Sequence, residues 1–185
     1  MPDSKSLKLY AVLLGGRAER CNIELHDIQF TTGTNIKACY QDLLAKWFGI
    51  PERMHLDSYL VLDVVDGYEI TLRKAAPKHK QKLYFINLGA YEEGVFTELH
   101  ATKFLVDTSK ISVKKRAKQS LLLGKDSVHT DDLYDVDDCI TISKVNGWHV
   151  HLTATEQIEQ LIPVNGYMPL PKAAVAEFLK SKKEL

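Results

Sequence analysis

No stretch of this 185-residue chain approaches the ~20 consecutive apolar residues that a membrane-spanning helix needs. The first eight residues are polar and lack the apolar centre of a secretion signal, so a cytoplasmic location is the expectation. Neither sign of charge is in excess: Lys plus Arg is 24 and Asp plus Glu is 24. That balance removes the global field that draws a protein to nucleic acid or to an anionic membrane. Cysteine is scarce. Cys21, Cys39 and Cys139 make neither a disulfide framework nor a CxxC pair, and they read as ordinary small side chains in a reducing compartment. GxSxG, HExxH and P-loop patterns are all missing, and the turn "LLGGRAE" is too short for a dinucleotide fingerprint. What remains is 45% hydrophobic and 26% charged, the composition of a chain with a packed core.

What the chain does have is a phrase written twice. "NIELHDIQF" begins at Asn22 and "FTELHATKF" at Phe96, each with Glu-Leu-His and each ending in Phe four residues after the His. Displaced by 74, residues 8–37 find 11 identities in 30 gapless positions, where chance gives about two. Asp57–Leu72 then matches Asp137–Leu152 at a displacement of 80, bringing Asp66-Gly67-Tyr68 onto Asn146-Gly147-Trp148. The chain is therefore two copies of one unit, 8–74 and 82–153. A tail at 1–7, a linker at 75–81 and an extension at 154–185 complete it.

Each copy reads alike. "KLYAVLLGG" is a short apolar run ending in a Gly turn, a buried strand. "IELHDIQFTTG" is a second strand. Thr34 or Asn35 can cap a helix whose Ile36, Tyr40, Leu43, Leu44 and Trp47 share a face, and Gly49 and Pro51 stop it. "YLVLDVVDGYEITL" is two strands around a hairpin turn. The expected class is α+β: a duplicated ββαββ unit with a mostly antiparallel sheet and a helix on one face, β-grasp-like in its closest familiar form. In the extension, Pro171 can open a helix, and Val175, Phe178 and Leu179 give it an apolar edge to dock.

The combination of "YAVLLGG", "NIELHDIQF", "DVVDGYEI", "YFINLGAY", "TELHATKF", "DDLYDVDDC" and "VNGWHVHL" resembles a small family of bacterial proteins. They carry one or two copies of the domain of unknown function numbered 1543. The resemblance covers 8–153, supports the duplication, and implies no activity, ligand or catalytic residue.

Candidate sites follow from residue type and spacing. On a strand, Glu24 and His26 share a face with Phe30, and Glu98 and His100 share one with Phe104. Such pairs read as polar pins that hold the unit together or as a ligand site near the Gly turn. A β-bulge near His26 would turn Ile23 and Leu25 inward instead. "HTDDLYDVDD" reads as a solvated acidic turn without EF-hand spacing. His149 and His151 sit two apart on one strand, the spacing of a zinc pair. His129, Asp131 and Asp135 are the neighbours that could complete a divalent-metal site. The basic run Lys110, Lys114, Lys115, Arg116 and Lys118 lacks stacking aromatics and reads as a solvated helix face, so a nucleic-acid partner is not expected.

Two functional readings result. One is a non-catalytic binding or scaffolding protein of two pseudo-symmetric domains, with a small molecule, a protein or a second copy of itself as partner. The other is a small metal-dependent or acid–base enzyme with its site in the second repeat. No cofactor is evident beyond that divalent metal.

Overall fold

The computed structural model describes residues 7–122 and 134–184. In chain order its strands are β1 (Lys8–Gly16), β2 (Leu25–Gly33), β3 (His55–Val61), β4 (Val64–Val65), β5 (Tyr68–Arg73) and β6 (Lys82–Ala90), followed by β7 (Leu99–Asp107), β8 (Tyr134–Ile142), β9 (Lys144–Val145), β10 (Trp148–Ala154) and β11 (Val164–Pro169). The α-helices are α1 (Tyr40–Lys46), α2 (Lys110–Leu122) and α3 (Lys172–Lys183). The protein is mixed helix and sheet, and every ladder described is antiparallel. No described helix is long and apolar enough to cross a membrane. Two compact units emerge: the chain up to Asp63 together with Gln160 onward, and Val64–Glu159. The boundary between units thus falls inside copy one, just before its hairpin.

In the first unit the sheet runs β11-β3-β1-β2. Asn35 caps the helical segment as the sequence suggests, its Oδ1 accepting from the Ala38 N–H at 3.1 Å. A 3-10 turn, Ile36–Cys39, leads into α1. Leu43, Leu44 and Trp47 then pack on Tyr10, Val12, Leu14 and Leu56. The extension supplies two elements here. The Val175 and Phe178 side chains of α3 enter this core, and β11 lies along the outer edge of β3. The sequence reading anticipated the helix and not the strand.

Within β3 the register slips. Leu14 faces Leu56 and Leu13 faces Ser58, so Asp57 is an extra residue, a β-bulge. Its effect is visible in the core: Leu56 faces inward before it, Tyr59 and Val61 after it. Copy two repeats the device. Leu88 faces Val136, Asn87 faces Asp138, and Asp137 is the extra residue. The bulge therefore sits on the third strand of each copy, while β2 keeps an unbroken register with β1 beside His26.

The second unit has a three-stranded sheet, β7-β6-β8, and a four-stranded one, β4-β5-β10-β9. Val113 and Ala117 of α2 pack on Tyr84, Ile86 and Leu88. Both hairpin turns carry positive φ at both central residues, Asp66 at 51° and Gly67 at 77°, Asn146 at 50° and Gly147 at 77°. That is the primed-turn geometry which Asp-Gly and Asn-Gly favour. The two hairpins form a sheet with one another rather than extending the sheets of their own copies. β5 pairs with β10 so that Thr71 stands opposite His151, its own counterpart in the repeat. Antiparallel pairing about equivalent positions is self-complementary, the logic of an isologous contact inside one chain. The first hairpin is thus part of the unit that holds copy two, where the two hairpins make one sheet.

The first hairpin is latched to the second copy within this unit. Arg116 of α2 grips Asp66 with two bonds, 2.8 and 2.9 Å, and donates to the Val106 carbonyl at 2.8 Å. Asp66 Oδ2 also accepts from the Val106 N–H at 2.8 Å. One member of the basic helix run is thus committed to structure. Charge-assisted bonds of this kind are worth about 1.5–3 kcal/mol, so Arg116→Ala should cost about 2 kcal/mol in urea unfolding. Arg116→Lys, which cannot reproduce the fork, should recover less than half of that.

Asp107 in the same network accepts from Ser112 Oγ at 2.7 Å and from the Thr108 N–H at 2.7 Å. The Ser112 bond, then the Thr108 and Arg116 bonds, hold its carboxyl below the ordinary 3.8, against the opposing effect of burial. A lowered folded-state value stabilises the fold above the unfolded-state value, and that contribution disappears as pH falls through the folded one. Asp107→Asn should therefore lower stability at neutral pH and narrow its gap from the parent as pH drops below about 4, read from melts across pH.

Candidate functional site

Gly15 is the centre of a row across three strands: it faces His26 on β2 and His55 on β3. Side chains at opposed positions share one face of a sheet. The bare glycine between them leaves room over its Cα, and polar groups from both sides lean into that room. A Cβ built on Gly15 would lie 2.5 Å from His55 Nε2, 2.5 Å from Asp57 Oδ2 and 3.0 Å from Glu24 Oε1. A glycine inside a strand marks a close approach of this kind.

The contacts differ from the pairing that the sequence suggested. Glu24 does not pair with His26. Its Oε1 lies 2.6 Å from His55 Nε2, which also stands 3.2 Å from Asp57 Oδ1. His26 Nε2 approaches Asp57 Oδ2 at 3.1 Å. That oxygen is sealed from solvent and has no hydrogen-bond partner. His55 is buried, 5% exposed, beneath the ring of Tyr167 from β11 at a centroid distance of 4.6 Å. His26 is half exposed. Four groups thus converge: two imidazoles and two carboxylates.

Copy two rebuilds the arrangement with changes. Gly89 faces His100 on one side and Asp135 on the other. A Cβ there would strike carboxylate oxygens of Asp137 and Glu98. His100 Nε2 stands 3.5 Å from Glu98 Oε2 and 3.8 Å from Asp137 Oδ2. One donor atom from each of these three residues falls within 4.8 Å of the others, a grouping able to hold a metal ion. The cluster is more open than its twin. Tyr91 borders it, an exposed phenol pushed above its ordinary 10.0 chiefly by the charge of Glu98.

The sequence-derived metal candidates lie elsewhere. His129 and Asp131 fall outside the described residues, and Asp135 is placed only by its backbone, opposite Gly89. His151 is engaged with structure: its Nε2 lies 2.8 Å from the Ala75 carbonyl and its ring meets His79 edge-on. His149 stands opposite Arg73 on β5, and neither residue belongs to the metal-capable group found among the described residues. His55, Asp57, Gly15 and Tyr167 were not singled out from sequence. The available signal was His55-x-Asp57, two polar residues on one strand face, matched by Asp135-x-Asp137 at the displacement of 80.

These features define a duplicated α+β domain with a glycine-backed polar cluster in each copy. The chain belongs to the family described as Domain of Unknown Function (DUF1543), whose model matches residues 21–72 and 95–152. Those two segments are the repeats minus their first strands. Among solved structures it is similar to a protein, Il1583, from Idiomarina loihiensis. The identity is 33% and the TM-score 0.73, over 90% of this chain and 100% of that one. No curated protein matches.

Proposed function

We propose that this is a cytoplasmic, non-catalytic binding protein whose ligand is held by the clusters over Gly15 and Gly89. One observation carries the reading: the same cluster is built twice, on the same strands, each time with a bulged Asp and a glycine that makes space for it. A polar pin alone needs neither the bulge nor the open Cα. Convergent polar groups over a recess are what a binding site requires. Within this proposal each repeat is a self-similar ββαβ core with the cluster on its three strands. Duplication then provides two sites of related chemistry.

Thermal melting with zinc, manganese, inorganic phosphate, citrate and spermidine provides the test. At least one of these should stabilise the parent and fail to stabilise the H26A/H100A double variant; ligand at a hundred times its Kd adds about 2.7 kcal/mol. If none shifts the parent, or the double variant responds equally, the reading is wrong.

An acid–base or metal-dependent enzyme working in the second repeat is the competing reading. The specific observation in its favour is the openness of the Glu98–His100–Asp137 group beside the Tyr91 phenol.

A further inference from the structure

The geometry points to a divalent transition-metal site in copy two, with Glu98, His100 and Asp137 as its ligands over Gly89. The copy-one cluster is its closed twin, in which an imidazole stands where copy two leaves room for an ion. The inference deepens the binding reading above and rests on it for the Gly89 cluster.

Neighbouring strands deliver the ligands. His100 lies on β7 opposite Gly89, Glu98 immediately precedes that strand, and Asp137 is the bulged residue of β8. A Cβ on Gly89 would strike oxygens of both Glu98 and Asp137, so the two carboxylates come together over bare backbone. His100 Nε2 stands 3.5 Å from Glu98 Oε2 and 3.8 Å from Asp137 Oδ2. Both separations exceed the roughly 2.7–3.2 Å of a direct N–H···O bond. They come close to the spacing of a metal's ligand shell, where bonds of about 2.0–2.2 Å set neighbouring ligand atoms about 2.8–3.6 Å apart. One donor atom from each of the three residues falls within 4.8 Å of the others. The side chains are between 31% and 49% exposed, which leaves them free to close the remaining gap.

The comparison with copy one explains why only copy two is open. There His55 Nε2 lies 2.6 Å from Glu24 and 3.2 Å from Asp57, facing both carboxylates as a proton donor would. That ring bridges them and is packed beneath Tyr167. In copy two the register position of His55 belongs to Asp135, so no second imidazole takes the bridging place. Among the described residues, Glu98 and Asp137 form ion pairs with His100 and with no Lys or Arg. A bound cation supplies the bridge that His55 provides in the twin. The donor set selects its class. One imidazole nitrogen with carboxylate oxygens suits zinc, manganese, iron or cobalt, whereas calcium and magnesium prefer oxygen alone. Three protein ligands leave a coordination position for water or a further small ligand.

The test is calorimetric titration of the chelator-treated full chain with zinc chloride and, separately, with manganese chloride. The tightest zinc event should involve one ion per chain. H100A and E98Q should each weaken it on the order of 100-fold or more. E98Q keeps the shape of the side chain, so its effect reads ligation rather than folding. H149A, which alters a histidine outside the cluster, should leave the event unchanged. Absence of heat with both metals overturns the inference, as does zinc binding that H100A and E98Q leave intact or that H149A removes. Stabilisation by phosphate, citrate or spermidine that H26A/H100A removes, without metal binding, would sink the metal site and leave the binding protein standing. Silence from every probe would remove both.

Discussion

Gly15→Ala should lower stability by about 3 kcal/mol in urea unfolding without changing the slope of the transition. The added methyl would lie 2.5 Å from both His55 Nε2 and Asp57 Oδ2. Overpacking of this sort costs about 1–3 kcal/mol by itself. His55 cannot retreat, since it is buried under Tyr167 and held by Glu24. Displacing it breaks its contact with the half-exposed Glu24 and adds about 1–3 kcal/mol for the stranded, buried imidazole. Gly89→Ala is the informative partner. Its obstacles are the carboxylate ends of Asp137 and Glu98, and the Asp137 end is exposed and free to swing. That substitution should cost less than about 1.5 kcal/mol. Equal effects at the two glycines would show that the copy-one cluster is no more rigid than its twin.

The second large effect separates the histidines. His55→Ala should cost about 3 kcal/mol, from the cavity it leaves and from two carboxylates deprived of their partner. His26→Ala should cost less than about 1 kcal/mol, because its pairing with Asp57 is half exposed to solvent. From sequence, Glu24 and His26 looked like a mutual pin. The structure moves the stabilising role to His55 and leaves His26 at the mouth of the cluster, free to serve a ligand. If chemical denaturation shows both variants equally damaged, that division of labour fails.

Local chemistry was legible where it depends on neighbours in sequence. The Asp66-Gly67 and Asn146-Gly147 turns, the Asn35 cap and the apolar stripe of Leu43, Leu44 and Trp47 all form as residue type and spacing suggest. So did the duplication, because it is a property of the string itself. Pairing between distant segments was not legible. A hairpin with one apolar face satisfies the same pattern whether it folds onto its own sheet or onto its twin, and β5 chose β10. "VNGYMP" carries a glycine and a proline that give no strand pattern, yet an edge strand tolerates both, and β11 is an edge. The cluster was half visible: Glu24, His26, Glu98 and His100 stood out by repetition. Their true partners, Asp57 and Asp137, stand on bulges, and a bulge leaves no mark in residue periodicity until the register is known.

The most direct test of the twin clusters as ligand sites is anomalous diffraction from crystals of the chelator-treated protein soaked in zinc at neutral pH. The account expects a strong peak among Glu98, His100 and Asp137, the grouping able to hold a metal ion. Peaks confined to His149, His151 or other surface histidines, with both glycine-backed clusters empty, would contradict it.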